Sequence, residues 1–199
     1  MRRVLALAGL AVLLPSLVAG LEPGRIVGRV TVKDAQKHPV VVFVPGLSGR
    51  APRPHAERPA MSQKGRVFIP HVLPVAVGTA VEFRNSDPFK HNSFSPDGER
   101  YNLGTWEQGQ SRTYTFKRPG VYRQLCNIHP EMLAYIVVLE TPYFALTDEE
   151  GNFEIASVPS GKYLLRIWGE KLTKEQLART FNVVVEEGAP VSIEIDLLR

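Results

Sequence analysis

The residues of this chain best equipped for chemistry are Cys126-Asn127-Ile128-His129-Pro130-Glu131-Met132, a stretch that includes its one cysteine. A thiol, an imidazole three residues later and a thioether three residues after that stand just ahead of the apolar run 133–139. With a second imidazole, these are the donors of a trigonal His2Cys copper site with a weak axial methionine. Thiolate suits Cu(I), imidazole serves both oxidation states, and a distant thioether tunes the potential without imposing either geometry. One short loop presents three of the four ligands, so the fourth comes from a neighbouring strand. His91 is the best candidate, because it sits in Asp87-Pro88-Phe89-Lys90-His91-Asn92, directly after the strand-like run 80–84. The expected metal set is therefore His91, Cys126, His129 and Met132, around one mononuclear copper. Singly, each type has an ordinary role, a lone cysteine being most often an inert buried hydrophobe. It is the joint spacing that points to a metal.

His91-Asn92 followed by Cys-x-x-His-x-x-Met resembles the cupredoxin family of blue copper proteins, and the short His–Met spacing is most similar to amicyanin. Residues 73–85 resemble the strand pair before the first copper histidine of that family, and 114–122 the strands leading to its copper cysteine. The resemblance covers roughly residues 59–140 and implies a Greek-key β-sandwich holding a type 1 copper. It implies that Cys126 is the strong equatorial thiolate and that the His129 edge reaches the surface, where electrons enter and leave. Pro88, Phe89, Pro130 and Leu133 would then form an apolar docking patch, and Asn92 would hydrogen-bond across the ligand loops. The amicyanin likeness further implies that His129 protonates and leaves Cu(I) in mild acid. A reduction potential flat between about pH 5 and 8, where histidine titrates, would overturn that expectation.

The elements that must position these groups are strands. Sixteen glycines and sixteen prolines in 199 residues mean many short turns, which favours β structure over helix. Apolar residues at 44% against 22% charged supply ample core. Met1-Arg2-Arg3, the apolar run 4–14 and the small residues 18–20 read as a secretory signal over residues 1–20. The run is too short to span a membrane comfortably, so no transmembrane segment is expected after cleavage. Removing that stretch takes away two arginines and no acid, lowering the formal charge from +4 to +2. That is too little to argue for nucleic acid. The expected location is periplasmic or otherwise exported. A single cysteine excludes an internal disulfide, and copper ligation would account for an odd thiol in an oxidising compartment.

Along the chain, 25–32 and 40–44 read as strands joined by a polar turn, and 46–59 as a Gly/Pro-rich linker in which His55 is solvated. Val75, Val77, Val81 and Phe83 alternate as half-buried strand positions about the Gly78-Thr79 turn. Strands are also expected over 103–106, 113–116, 121–126 and 133–139. His71, between two prolines and far from the other ligand motifs, reads as a structural or surface residue. After Thr141-Pro142 come turn-and-strand units at 147–153 and 158–168, a short helix over 171–178, and a terminal hairpin of 181–185 with 191–197. The Asp-x-x-Gly-x-Phe and Pro-x-Gly-x-Tyr text here, with Gly28-Arg-Val-Thr31 near the start, resembles the carboxypeptidase regulatory-like β-sandwich.

The expected fold is therefore all-β: a cupredoxin Greek-key β-sandwich over 59–140, inserted into a second small sandwich formed by 21–58 and 141–199. The simpler division, one cupredoxin over 25–140 and a separate C-terminal domain, leaves the latter too few strands to close. The combination resembles exported proteins of the methylamine-utilisation type. The function expected is one-electron transfer between redox proteins docking near His129. The alternative is a copper-handling protein using the same ligands without a place in a redox chain. An enzyme is not expected. Multicopper oxidases and copper nitrite reductases need further His-rich motifs and there are five histidines, while a dinuclear copper centre needs a second cysteine. Zinc takes thiolate, imidazole or carboxylate rather than thioether, and no Glu/His cluster at peptidase spacing follows residue 141.

Overall fold

The computed structural model describes residues 22–33, 38–49 and 58–198. The expected secretory signal, His55 and most of the expected linker lie outside those residues. The chain opens with β1 (Gly24–Thr31) and β2 (Val41–Phe43). It continues through β3 (Ala60–Lys64), β4 (Val67–Ile69), β5 (Val72–Ala76), β6 (Ala80–Asn85) and β7 (His91–Ser95). Next come β8 (Tyr101–Trp106), β9 (Ser111–Thr115), β10 (Gly120–Leu125) and β11 (Leu133–Leu139). The last part holds β12 (Phe144–Leu146), β13 (Asn152–Val158), β14 (Gly161–Trp168), α1 (Lys174–Ala178), β15 (Phe181–Val185) and β16 (Pro190–Asp196). Among the described residues no helix is long and apolar enough to cross a membrane.

The fold is all-β: a cupredoxin-like sandwich and a second small sandwich. In the first, the sheet β5-β11-β10-β7-β8 faces β4-β3-β6-β9. Inward-facing Met61, Phe83, Trp106, Phe116, Tyr122 and Ile136 form its core. In the second, β13-β1-β16 faces β12-β2-β14-β15 over Ile26, Val42, Phe153, Ile155, Leu165 and Ile195. Strands β1 and β2 therefore pair with strands that lie beyond residue 141, on the far side of the sequence between them. A smaller apolar cluster joins the two sandwiches, where Val72, Val137 and Leu139 meet Val41, with Phe43, Phe144 and Trp168 packed against it. His71 lies on the same seam, 2.8 Å from Glu170 and edge-on to Tyr135. That is the structural role its sequence context indicates.

Several local expectations need correction. The terminal hairpin does not form. β15 pairs with β14 in one sheet, while β16 crosses to the other sheet and runs parallel to β1, so residues 186–189 bridge the sandwich instead of closing a hairpin. A tight turn and two amphipathic strands are compatible with either pairing, and burying both apolar faces selects the crossing. β1 and β2 likewise enter opposite sheets. Val77 leaves the alternating pattern: it is exposed where the chain turns toward Gly78. The helix starts later than expected, at Lys174, because Thr173 and Gln176 cap it reciprocally.

Candidate metal centre

The ligand loop is the connection between β10 and β11, whose register closes at Leu125 opposite Leu133. An amide bond from Met132 to the His129 carbonyl, 3.0 Å, curls residues 129–132 into a turn. That turn brings His129 back over the strand ends. β7 lies beside β10 through the pairing of Phe94 with Leu125, so its first residue, His91, faces the same loop.

The side chains of His91, Cys126 and His129 converge. His91 Nδ1 and His129 Nδ1 are 3.2 Å apart, and each is 3.9 Å from Cys126 Sγ. All three ligand atoms lie within 4.8 Å of one another. Bonds of about 2.1 Å to nitrogen and about 2.3 Å to sulfur would place one ion close to the plane of this triangle. Two imidazoles and a thiolate about a trigonal ion are the blue-copper arrangement, so the residues present fit a copper ion. Met132 is buried in the same core cluster as Cys126. His91 is fully buried, Cys126 and Met132 nearly so, and His129 only in part. Of the three converging groups, the His129 imidazole alone is part-exposed, while His91 and Cys126 are shielded.

A polar scaffold fixes the first imidazole. His91 Nε2 lies 2.8 Å from Asp87 Oδ2, a contact that leaves Nδ1 to face Cys126 and His129. Asp87 in turn accepts the amides of Gly65 and Arg66, at 2.7 and 3.1 Å. Those amides belong to the two-residue turn between β3 and β4, where both residues have φ near +60°. Two consecutive positive φ values are the type I′ requirement; Gly65 meets it freely, and Arg66 is held there against its preference. Burial raises the Asp87 pKa, but the Gly65 amide, His91 and the Arg66 amide outweigh it, so its carboxyl sits below the ordinary value. A histidine ligand whose second nitrogen is fixed in this way has its tautomer and ring orientation set.

Asn92 ties the loops together. Its carbonyl Oδ1 accepts the Asn127 amide at 3.3 Å, its Nδ2 donates to Asn102 Oδ1 and the Gly104 carbonyl, and its main-chain carbonyl accepts Gln63 Nε2. The sequence pointed to Asn92 but not to Asp87, Gln63 or the β3–β4 turn. Asp87 stands four residues before His91, and outside a helix that spacing says nothing about which side chains meet. At the surface, the Phe89 ring lies 5.3 Å from both imidazole rings, with the Arg66 guanidinium 5.4 Å over it. Pro88 and Pro130 are exposed and Leu133 half-buried, and Ile128 adds a further exposed apolar side chain to the same loop.

Neither family models nor curated proteins match the sequence. Among solved structures, a purple cupredoxin from Nitrosopumilus maritimus is similar at 24% identity and TM-score 0.38, over 40% of this chain and 98% of that one. A reduced Cu(I) form of an amicyanin variant aligns at 22% identity and TM-score 0.40, over 49% of this chain and 97% of the other. A Cu-containing nitrite reductase from Thermus scotoductus SA-01 aligns at 27% identity and TM-score 0.41, over 57% of this chain but 28% of its own length.

Proposed function

We propose that this chain is an exported type 1 copper protein that carries single electrons, with His91, Cys126, His129 and Met132 as ligands of one copper. The observation that carries the reading is the compact triangle of two imidazole nitrogens and one cysteine sulfur, closed on its inner side by apolar core. Bound copper would supply a one-electron couple between Cu(I) and Cu(II). The protein's part is to hold its donors still. Strands β7, β10 and β11 anchor both ends of the ligand segments, and Asp87 and Asn92 fix the loops between them. Donors that do not move between oxidation states keep reorganisation small. The apolar shell excludes water from the thiolate, and the half-buried His129 offers an edge through which an electron can leave.

Redox protein partners are proposed to dock around His129, on Pro88, Phe89, Ile128 and Pro130. The strand pairing of β1 and β2 with β12, β13, β14 and β16 supports a domain division in which 59–140 is inserted into a carboxypeptidase regulatory-like sandwich of 21–58 and 141–199. Export rests on the signal-like residues 1–20 and is tested by N-terminal sequencing of the mature protein.

The deciding experiment is a visible spectrum of the Cu(II)-loaded chain beside a Cys126→Ser variant. An intense thiolate-to-copper charge-transfer band, lost in the variant, is expected. A colourless protein that still binds Cu(I) tightly would transfer the site to copper handling, and no copper binding would remove both readings. Met132→Leu is expected to keep the band and change the reduction potential, since the axial thioether tunes the site more than it builds it.

A further inference from the structure

The turn between β3 and β4 carries two cations beside the converging imidazoles. Lys64 closes β3 and stands opposite Val67 in the strand pairing. Arg66 lies in the turn itself, with its guanidinium 5.4 Å over the Phe89 ring, which is 5.3 Å from the rings of His91 and His129. Its amide is bonded to Asp87, so the turn holds this charge at a set place. Both cations are exposed. Elsewhere in the same sandwich Arg84, Lys90 and Arg123 are answered by Glu82, Glu107 and Asp97, at 2.8, 3.0 and 2.8 Å. Among the described residues no carboxylate answers the side chain of Lys64 or Arg66 in this way. Val67 and Ile69, 51% and 48% exposed, extend an apolar surface along β4 beside Lys64.

We infer that this surface docks an acidic redox protein, whose carboxylates engage Lys64 and Arg66 while apolar contact forms on Phe89 and Val67. The inference rests on the copper reading and names the chemistry of the partner. A guanidinium over a ring still presents its fork of N–H donors at its edge, the geometry that takes a carboxylate with two bonds. Because the Phe89 ring adjoins both the cation and the imidazoles, a partner held at Arg66 is held against the His129 edge. Of the exposed acids on the segments next to the ligands, Glu107 is occupied by Lys90. Glu131, in the ligand loop, is the charge that opposes an acidic partner. An anionic membrane would also attract cations beside apolar groups, but their place at the imidazole edge favours a redox protein.

The Cu(II)-loaded full mature chain is mixed in stopped flow with two donors of opposite charge. One is reduced plant-type ferredoxin, an acidic protein whose low potential drives the transfer; the other is hexaammineruthenium(II), a cation. In each case one electron passes from the donor to Cu(II), leaving Cu(I) and the oxidised donor. The ferredoxin rate is expected to fall as salt is raised, and the ruthenium rate is not. Lys64→Glu and Arg66→Asn should each slow ferredoxin about threefold or more at low salt, a part of the 10–1,000-fold that steering supplies. Asn is chosen because it tolerates the positive φ of residue 66. Glu131→Lys should speed the reaction. Lys162→Glu, an equal charge change on β14 of the outer sandwich, should have little effect, and equal slowing there would overturn the face. A full charge-transfer band with ferredoxin rates indifferent to salt and to Lys64 would overturn the docking face alone. No band in the parent would overturn the copper reading and the face with it. Binding to phosphatidylglycerol vesicles that Lys64→Glu abolishes, with ferredoxin rates unmoved, would assign the face to a membrane instead.

Discussion

The cupredoxin-like sandwich buries Gln63, Asn85, Asp87, Asn92, Ser93 and Gln124 along with its apolar core, whereas the buried polar side chains described in the outer sandwich are Thr141 and Thr147. Both are two-sheet β structures with continuous apolar centres. The outer one is held mainly by packing, and the two hydroxyls it buries, those of Thr141 and Thr147, each accept a main-chain amide. The inner one places amides and a carboxylate where each must find a partner, since an unpaired buried polar group is costly. Gln63, Asn85, Asp87 and Asn92 do so close to the converging imidazoles, leaving Gln63 Oε1 without a partner, while Ser93 and Gln124 pair with each other. Stability is spent there on fixing geometry. The contrast separates a region built to persist from one built to position ligands.

The largest effect that would sharpen this contrast is Leu165→Ala in the outer core, where the side chain is fully buried. It should cost about 2–5 kcal/mol of stability and leave the copper spectrum of the folded protein unchanged, as read by denaturant titration beside the visible band. A shifted band would mean that the two sandwiches share strain across their seam.

Asp87→Ala should show the opposite balance. It strands the amides of Gly65 and Arg66 and frees His91 Nε2. Copper affinity should fall about 10–100-fold, with a stability loss of about 1–3 kcal/mol, since the amides of the exposed Gly65 and Arg66 can turn to water. Competition against a chelator measures the first, and unchanged affinity would break the link between the polar scaffold and the metal centre.

A smaller effect concerns acid. Glu99 accepts the Lys117 amide at 2.6 Å, the Arg118 amide, and the hydroxyls of Tyr114 and Tyr122. Burial raises its pKa, but these bonds prevail, so its carboxyl titrates below the ordinary value. Its contribution is therefore present above the unfolded value of about 4.3 and lost as pH falls through the lower folded value. Glu99→Gln should be less stable than the parent at pH 7 and lose less on acidification. Parallel loss in both proteins would assign the acid sensitivity elsewhere.

The smallest effect is Thr173→Ala. It removes the capping box of α1, a helix with no buried residue, and should cost about 1 kcal/mol or less. A larger loss by thermal melting would show that α1 stiffens the outer sandwich through the Gln176 bond to the Leu197 carbonyl.

How much of this was legible in the chain depended on whether the information is local. A cysteine, a histidine and a methionine within one short loop are close whatever the rest does, so residues 126–132 announce a metal-binding chemistry by themselves. A continuous apolar run over 133–139, and apolar residues alternating at Tyr163, Leu165 and Ile167, likewise determine strands there. Partner choice is not local. The 181–185 and 190–196 strands carry a turn that permits a hairpin, yet they part to opposite sheets because both apolar faces are buried only that way. Tertiary structure alone decided that Asp87 holds His91, that the β3–β4 turn holds Asp87, and that His38 and His71 face one carboxylate across the seam. Those contacts join residues with no fixed spacing in the chain, and only the packing of two sandwiches sets the distances between them.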